Sequence, residues 1–249
     1  MRKIAIGIGL LALLVVQVQV QVQAGSTLEI LASPSRLESD LERDKRSQPQ
    51  VIVELLVLKA GDRVADIFAG SGYYSEILGQ VVTPGGEVLM HNNLAYINYV
   101  GDELDKRFTA RDVLGVKRHD REVDNLDLGE ASLDAAMIIM SYHDLYHTAE
   151  GWPKIDAANF MGQIVKALKP GGRFLIVDHA AAAGTGMDSA QDLHRLDEAF
   201  ARSDVESYGL RYIATSNALR NAGDNYSLSA FDPKVRGKTD RFILVFEKP

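Results

Sequence analysis

Two groups of residues in this chain have the types and spacing to do chemistry. The first is the stretch Val64-Ala65-Asp66-Ile67-Phe68-Ala69-Gly70-Ser71-Gly72-Tyr73-Tyr74, where an apolar run ends in an acid and a glycine turn before a helix that starts at Tyr73. Glycine lets backbone approach a ligand closely, and the first turn of a helix offers unpaired N–H groups to a nucleotide-like ligand. The second group follows other apolar runs: His143 and Asp144 come after Leu133–Met140, and Asp178 and His179 close the run from Arg173. In open α/β sheets ligands bind outside the carboxyl ends of the strands, and neighbouring strands lie about 4.8 Å apart, so these side chains converge on one rim facing the loop after Asp66. Imidazole suits proton transfer near neutral pH, so His143 could take the proton of an acceptor hydroxyl or amine. His143, Asp144, His147 and His179 also supply the mixed nitrogen and oxygen donors of a metal site, and structural capping is a third use. We assign His143, Asp144 and His179 to catalysis and assign no metal ligands.

These residues need a sheet to hold them. The pattern from residue 51 alternates helix and strand: helix Val51–Leu58, strand Arg63–Ile67, helix Tyr73–Val81, strand Glu87–His91, a polar helix near Ala95–Val113, and a strand near Val116–His119. Strand Leu133–Met140, helix Ile155–Leu168, strand Arg173–Asp178, a helical stretch over about 189–207, and strands Tyr212–Asn217 and Arg241–Glu247 complete it. Such alternation predicts an α/β, Rossmann-like doubly wound, mostly parallel sheet. The last strand, apolar throughout, is expected to enter late and antiparallel. Residues 25–58 form a charged N-terminal helical cap on a domain over 59–249. Within Arg36–Arg46, Glu and Arg at helical spacing suit a solvated face, and Arg43 or Arg46 could instead fold over the ligand site.

The first 24 residues read as an export signal: Arg2 and Lys3, an apolar run over Ile4–Val16, then a Val/Gln alternation ending in the small-residue pattern Val22-Gln23-Ala24. The run is short for a membrane span, which takes about 20 apolar residues. Cleavage before Gly25 and a periplasmic location are expected, with membrane contact only through the signal. The chain of 249 residues has no cysteine, which excludes disulfides, thiolate metal sites and a cysteine nucleophile. Loss of Arg2 and Lys3 takes the formal charge from −7 to −9, which argues against a nucleic-acid partner. Oligomeric state is not readable from the sequence.

Four motifs occur in order: Asp66…Gly70-Ser71-Gly72; Pro84-Gly85-Gly86-Glu87-Val88; Leu133-Asp134-Ala135-Ala136-Met137-Ile138-Ile139; and Ala167-Leu168-Lys169-Pro170-Gly171-Gly172-Arg173-Phe174. Together, over about residues 51–180, they resemble the class I S-adenosylmethionine-dependent methyltransferases. Arg43-Asp44-Lys45-Arg46, Tyr142-His143-Asp144-Leu145, His194-Arg195-Leu196-Asp197, Leu219-Arg220-Asn221 and Gly237-Lys238-Thr239-Asp240-Arg241-Phe242 are similar to a narrower, exported group of predicted methyltransferases. The resemblance implies S-adenosyl-L-methionine as cofactor and a small-molecule methyl acceptor. It implies that Asp66 orders the loop near the methionine end, and that Gly70, Gly72 and Tyr73 lie against the ligand. Phe68 takes the place of the family's first glycine. Asn92 stands where the family's acid holds the ribose hydroxyls, and Glu122-Val123 stands beside the adenine amino group. Ser141 opens Ser141-Tyr142-His143-Asp144, where nucleic-acid methyltransferases carry Asn/Asp-Pro-Pro-Tyr. His194 would wall the substrate pocket, and Arg220, Asn221, Arg236, Thr239, Asp240 and Arg241 form either a polar wall or an ion-pair network. Two rivals are a non-catalytic binding protein on the same fold and a nicotinamide-dependent oxidoreductase. Ser75 in place of a third glycine counts against the latter.

Overall fold

Seven segments pair edge to edge: β1 (Arg63–Ile67), β2 (Glu87–Asn92), the polar edge strand β3 (Val116–Asp120), β4 (Leu133–Ile139), β5 (Leu168–His179), β6 (Arg211–Thr215) and β7 (Arg241–Glu247). The computed structural model describes residues 26–109 and 111–249, so the export-signal reading of residues 1–24 lies outside the described residues. The strand order is β3-β2-β1-β4-β5-β7-β6. β1 through β5 pair in parallel, and β7 inserts antiparallel between β5 and β6. This is the doubly wound α/β sheet with a late antiparallel strand that the sequence predicts.

The period-two alternation of strands sorts side chains to two cores. Ala65 and Ile67 of β1, Ala136 and Ile138 of β4, and Phe242, Leu244 and Phe246 of β7 face one. Val64, Ala135, Met137, Ile243 and Val245 face the other. Helices α7 (Ala157–Ala167) and α9 (Glu198–Ser207) cover the first core through Phe160, Ile164, Ala201 and Val205. Helices α3 (Pro49–Leu56) and α4 (Tyr73–Val82) cover the second through Ile52, Leu56, Ile77 and Leu78.

Gly79 lets α4 settle on the β2–β3 connection. A Cβ there would overlap the Leu114 carbonyl oxygen and sit 2.8 Å from Val116 Cγ2. Helix propensity favours alanine over glycine by about 1 kcal/mol. The overlap is with fixed backbone and outweighs that gain, so Gly79→Ala is expected to lower stability by about 1–3 kcal/mol, read from the urea midpoint. A more stable variant would refute the packing argument.

Some boundaries differ from the sequence reading. The expected helix 95–113 is two helices, α5 (Leu94–Val100) and α6 (Glu103–Phe108), broken at Gly101 with φ +53°. The expected stretch 189–207 is α8 (Asp188–Leu193) and α9, parted by His194 in left-handed conformation, φ +51°. The strand expected from Arg173 begins earlier, at Leu168; its first residues carry Gly171 at φ +76° and a register irregularity opposite Leu133–Ala135.

The N-terminal helices are α1 (Thr27–Leu31), α2 (Glu38–Ser47) and α3. A solvated face exists, with Lys45 paired to Glu42, but Arg36 and Asp40 turn inward. The fully buried Arg107 of α6 donates to Asp40 at 2.7 and 3.0 Å, to Glu76 of α4, and to the Ser71 carbonyl of the glycine turn. Arg36 pairs with Asp44, which also accepts from the Tyr73 hydroxyl at 2.6 Å. These buried charges are paired, so α2 is held against the start of α4 beside the glycine turn. Among the described residues no helix is long and apolar enough to cross a membrane.

Candidate active site

The loop after β1 is shaped by three residues of positive φ: Phe68 at +54°, Gly70 at +60° and Gly72 at +84°. Phe68 is thus held in a left-handed backbone conformation, which costs a non-glycine residue about 1–3 kcal/mol. Its ring offsets part of that cost by stacking on Tyr96 (4.6 Å) and Phe160 (5.2 Å). Gly72 is where the helix meets the sheet: a Cβ would come within 2.8 Å of Met90 Sδ and 3.2 Å of Arg107 Cδ.

The end of β2 is fully committed. Asn92 accepts from the Gly70 N–H and donates to the Gly70 carbonyl, both at 2.9 Å, so one amide clamps the turn from both sides. His91 Nε2 bonds the Arg121 carbonyl at 3.0 Å, and burial pushes the ring down to about 4, so it is neutral. Asn93 caps α5 by accepting from Tyr96 N at 3.0 Å.

Asp66 is buried beneath α4 and accepts from the Ser75 hydroxyl at 2.6 Å. Burial raises its pKa to about 7 despite that bond and the positive charge of Arg43.

Above the carboxyl ends of β1, β4 and β5 lies a cavity of ≈ 860 Å³. Of the residues singled out from sequence, Phe68, Gly70, Ser141, His143, Asp144, His147, His179 and His194 line it. Asp66, Gly72, Tyr73, Asn92, Glu122 and Val123 do not. Glu122 accepts from Leu94 N, and Val123 is half-buried against the first core. Tyr73 is buried under Arg43, whose guanidinium lies 4.1 Å from its ring centre. Arg43, Arg46, Arg236 and Arg241 line the cavity, while Arg220 and Asp240 pair with each other outside it. Sequence reading missed Tyr96, Tyr99, Glu103 and Trp152 in the wall. The one available signal was the Tyr96/Tyr99 spacing on a helix directly after β2.

The floor is a 3₁₀ turn, His143–Tyr146, directly after β4. Asp178, one strand over, accepts from His143 N at 2.7 Å, His143 Nδ1 at 2.8 Å and His179 N at 2.7 Å. That leaves His143 Nε2 facing Asp144 Oδ1 at 3.3 Å, while Asp144 accepts from the Tyr96 hydroxyl on its other oxygen. Burial alone would lower the His143 pKa, but Asp178 and Asp144 override it and raise it to about 9. His179 bonds Thr239 Oγ1 at 2.7 Å, and burial drives it down to about 3; burial also takes His194 to about 4. Asp178 and Asp144 thus favour the protonated ring, while burial raises the Asp144 pKa in turn, so His143 would act as a base only after giving up the proton that these neighbours favour.

A parallel sheet whose glycine turn and strand ends surround one cavity is a ligand-binding doubly wound α/β architecture, and solved S-adenosylmethionine-dependent methyltransferases share this fold. Comparison with known proteins agrees. The chain is 26% identical over 184 residues to the ubiquinone/menaquinone biosynthesis C-methyltransferase UbiE of Pseudomonas paraeruginosa (strain PA7), spanning 72% of this chain and 66%, just under two thirds, of that protein. A S-adenosylmethionine-dependent methyltransferase from Aquifex aeolicus superposes with a TM-score of 0.57 at 17% identity, over 88% of this chain and 97% of that one. Phosphoethanolamine N-methyltransferase 2 of Haemonchus contortus, in complex with S-adenosyl-L-methionine, superposes with a TM-score of 0.58 at 16% identity, over 90% of this chain and 60% of that one. No family model matches the chain.

Proposed function

We propose that this chain transfers a methyl group from S-adenosyl-L-methionine to a small-molecule acceptor. The observation that carries this reading is the ≈ 860 Å³ cavity walled by the Phe68–Ser71 turn on one side and by the His143, His179 and His194 cluster on the other. That volume lies within the range of small-molecule and cofactor sites, about 300–1,000 Å³. The guanidinium groups of Arg43 and Arg46 suit the cofactor's carboxylate. Tyr96, Tyr99 and Trp152 offer aromatic faces to the adenine. Glu103, three residues after the Val100 that abuts Gly70, supplies the carboxylate for ribose hydroxyls that the end of β2 lacks. The histidine floor meets the acceptor. Rate acceleration comes chiefly from holding the acceptor's nucleophilic atom in line with the methyl–sulfur bond; the new bond forms as the sulfonium becomes a thioether.

Calorimetry with S-adenosylmethionine, its demethylated product and NAD tests the reading. Binding of the first two at micromolar affinity, with no NAD binding, is the expected result. Silence with all three would leave a binding protein on this fold, a reading that the fully committed end of β2 favours.

Replacing Asn92 by the family's acid makes a sharp test. Asn92→Asp removes the donor to the Gly70 carbonyl and sets a carboxylate against it. An unsatisfied buried group costs about 1–3 kcal/mol, so S-adenosylmethionine binding is expected to weaken about tenfold or more. Tighter binding would mean that position 92 touches ribose directly.

The basic start, apolar run and small-residue close of residues 1–24 support export to the periplasm. N-terminal sequencing of the protein recovered from that compartment should begin at Gly25.

A further inference from the structure

We propose that His143, Asp144 and His194 form a binding site for one divalent transition-metal ion at the floor of the cavity. Donor atoms of the three residues lie within 4.8 Å of one another. His143 Nε2 and Asp144 Oδ1 are 3.3 Å apart, close to the separation of about 3.3–3.4 Å that two ligands take up around a tetrahedral ion with bonds of about 2.0–2.1 Å. The site also has the outer support that metal-bound histidines need. Asp178 accepts from His143 Nδ1 at 2.8 Å, which fixes the ring and leaves Nε2 as the coordinating nitrogen. Tyr96 does the same for Asp144 by donating to its second oxygen.

His194 supplies an independent observation. Its Nδ1 is buried and has no hydrogen-bond partner among the described residues. Its backbone is left-handed at φ +51°, between α8 and α9, and its ring meets His143 edge to face at 5.3 Å between centres. Strain and an orphaned polar atom in one residue mark a place that a ligand completes.

The donor set selects the ion. Two imidazoles and one carboxylate suit zinc or iron(II) and do not suit magnesium or calcium, which take oxygen. Asp144 and Asp178 together offset a double positive charge. Three protein ligands leave a position open toward the cavity, where an oxygen or nitrogen donor could bind. Any use of that position in catalysis rests on the methyl-transfer reading; the presence of the ion does not.

The test is zinc titration of chelator-treated, tag-free protein by calorimetry, followed by cobalt(II) binding read from its visible absorption. One zinc per chain at micromolar affinity or tighter is expected, with magnesium giving no heat. His194→Ala should lose most of that affinity while still unfolding cooperatively in urea, because the His194 Nδ1 makes no hydrogen bond among the described residues. Should that variant fail to fold, Asp144→Asn makes the same comparison. Asp178→Asn should weaken zinc about 10- to 100-fold as an outer-shell change. No uptake at about 0.1 mM zinc, or equal uptake by wild type and the ligand variants, would overturn the proposal. Zinc uptake without S-adenosylmethionine binding would remove methyl transfer and leave this site standing; the reverse result would do the opposite.

Discussion

Asp178→Ala is expected to lower the free energy of unfolding by about 3–5 kcal/mol, the cost of breaking a buried ion pair by removing one partner. Asp178 is completely buried, and its two oxygens accept three N–H groups, from His143 N, His143 Nδ1 and His179 N. Removing the carboxylate strands those donors and leaves the His143 imidazolium facing only Asp144. The pKa of the ring then falls, because one of the two negative charges that oppose burial is gone. Chelator-treated protein in urea, followed by circular dichroism, measures the loss directly. Asp178→Asn keeps the shape and one oxygen acceptor, so its cost should fall between wild type and alanine. An alanine variant within 1 kcal/mol of wild type would show that this carboxylate does not organise the histidine floor.

The second large effect is at Asp66, and its sign depends on pH. The folded-state pKa of about 7 is above the ordinary 3.8, because burial outweighs the Ser75 bond. The folded chain therefore holds a proton that the unfolded chain releases. The stability contributed by this group is fully present below about pH 4 and is lost as pH rises through about 7. Three pKa units correspond to about 4 kcal/mol. Asp66→Asn removes that dependence, and its carbonyl still accepts from Ser75. The new NH₂ lacks a partner and costs about 1–3 kcal/mol. At pH 8 the variant is thus expected to be more stable than wild type by about 2 kcal/mol, and at pH 4 less stable by about 1–3 kcal/mol. Urea midpoints of both proteins across this range check the crossing. A constant difference at every pH would show that Asp66 does not keep its proton on folding.

A buried acid kept at such a cost beneath the glycine turn fits a site arranged for binding more than for stability. The same applies to Phe68 in left-handed conformation and to His194 with its orphaned nitrogen. All three lie at or beneath the walls of one cavity, and each departs from what local preference would choose.

What the sequence determined by itself was the part written in neighbouring residues. Arg63–Ile67 and Arg241–Glu247 were legible as strands to the residue, and the glycine turn at 70–72 was legible as the start of a helix, because alternation and turn chemistry act over a few positions. Tertiary structure alone decided how side chains far apart in the chain are used. Asn92 looked free to meet a ribose, yet both ends of its amide are spent on Gly70, 22 positions earlier. Arg36–Arg46 looked like a solvated face, yet Asp40 is buried against Arg107, 67 positions later. His143 looked like a base, yet Asp178, 35 positions later on the adjacent strand, helps keep it protonated. The physical reason is the same in each case: backbone conformation follows local preference, whereas hydrogen-bond partners and charge neighbours follow strand order, and strand order exists only once the sheet has formed.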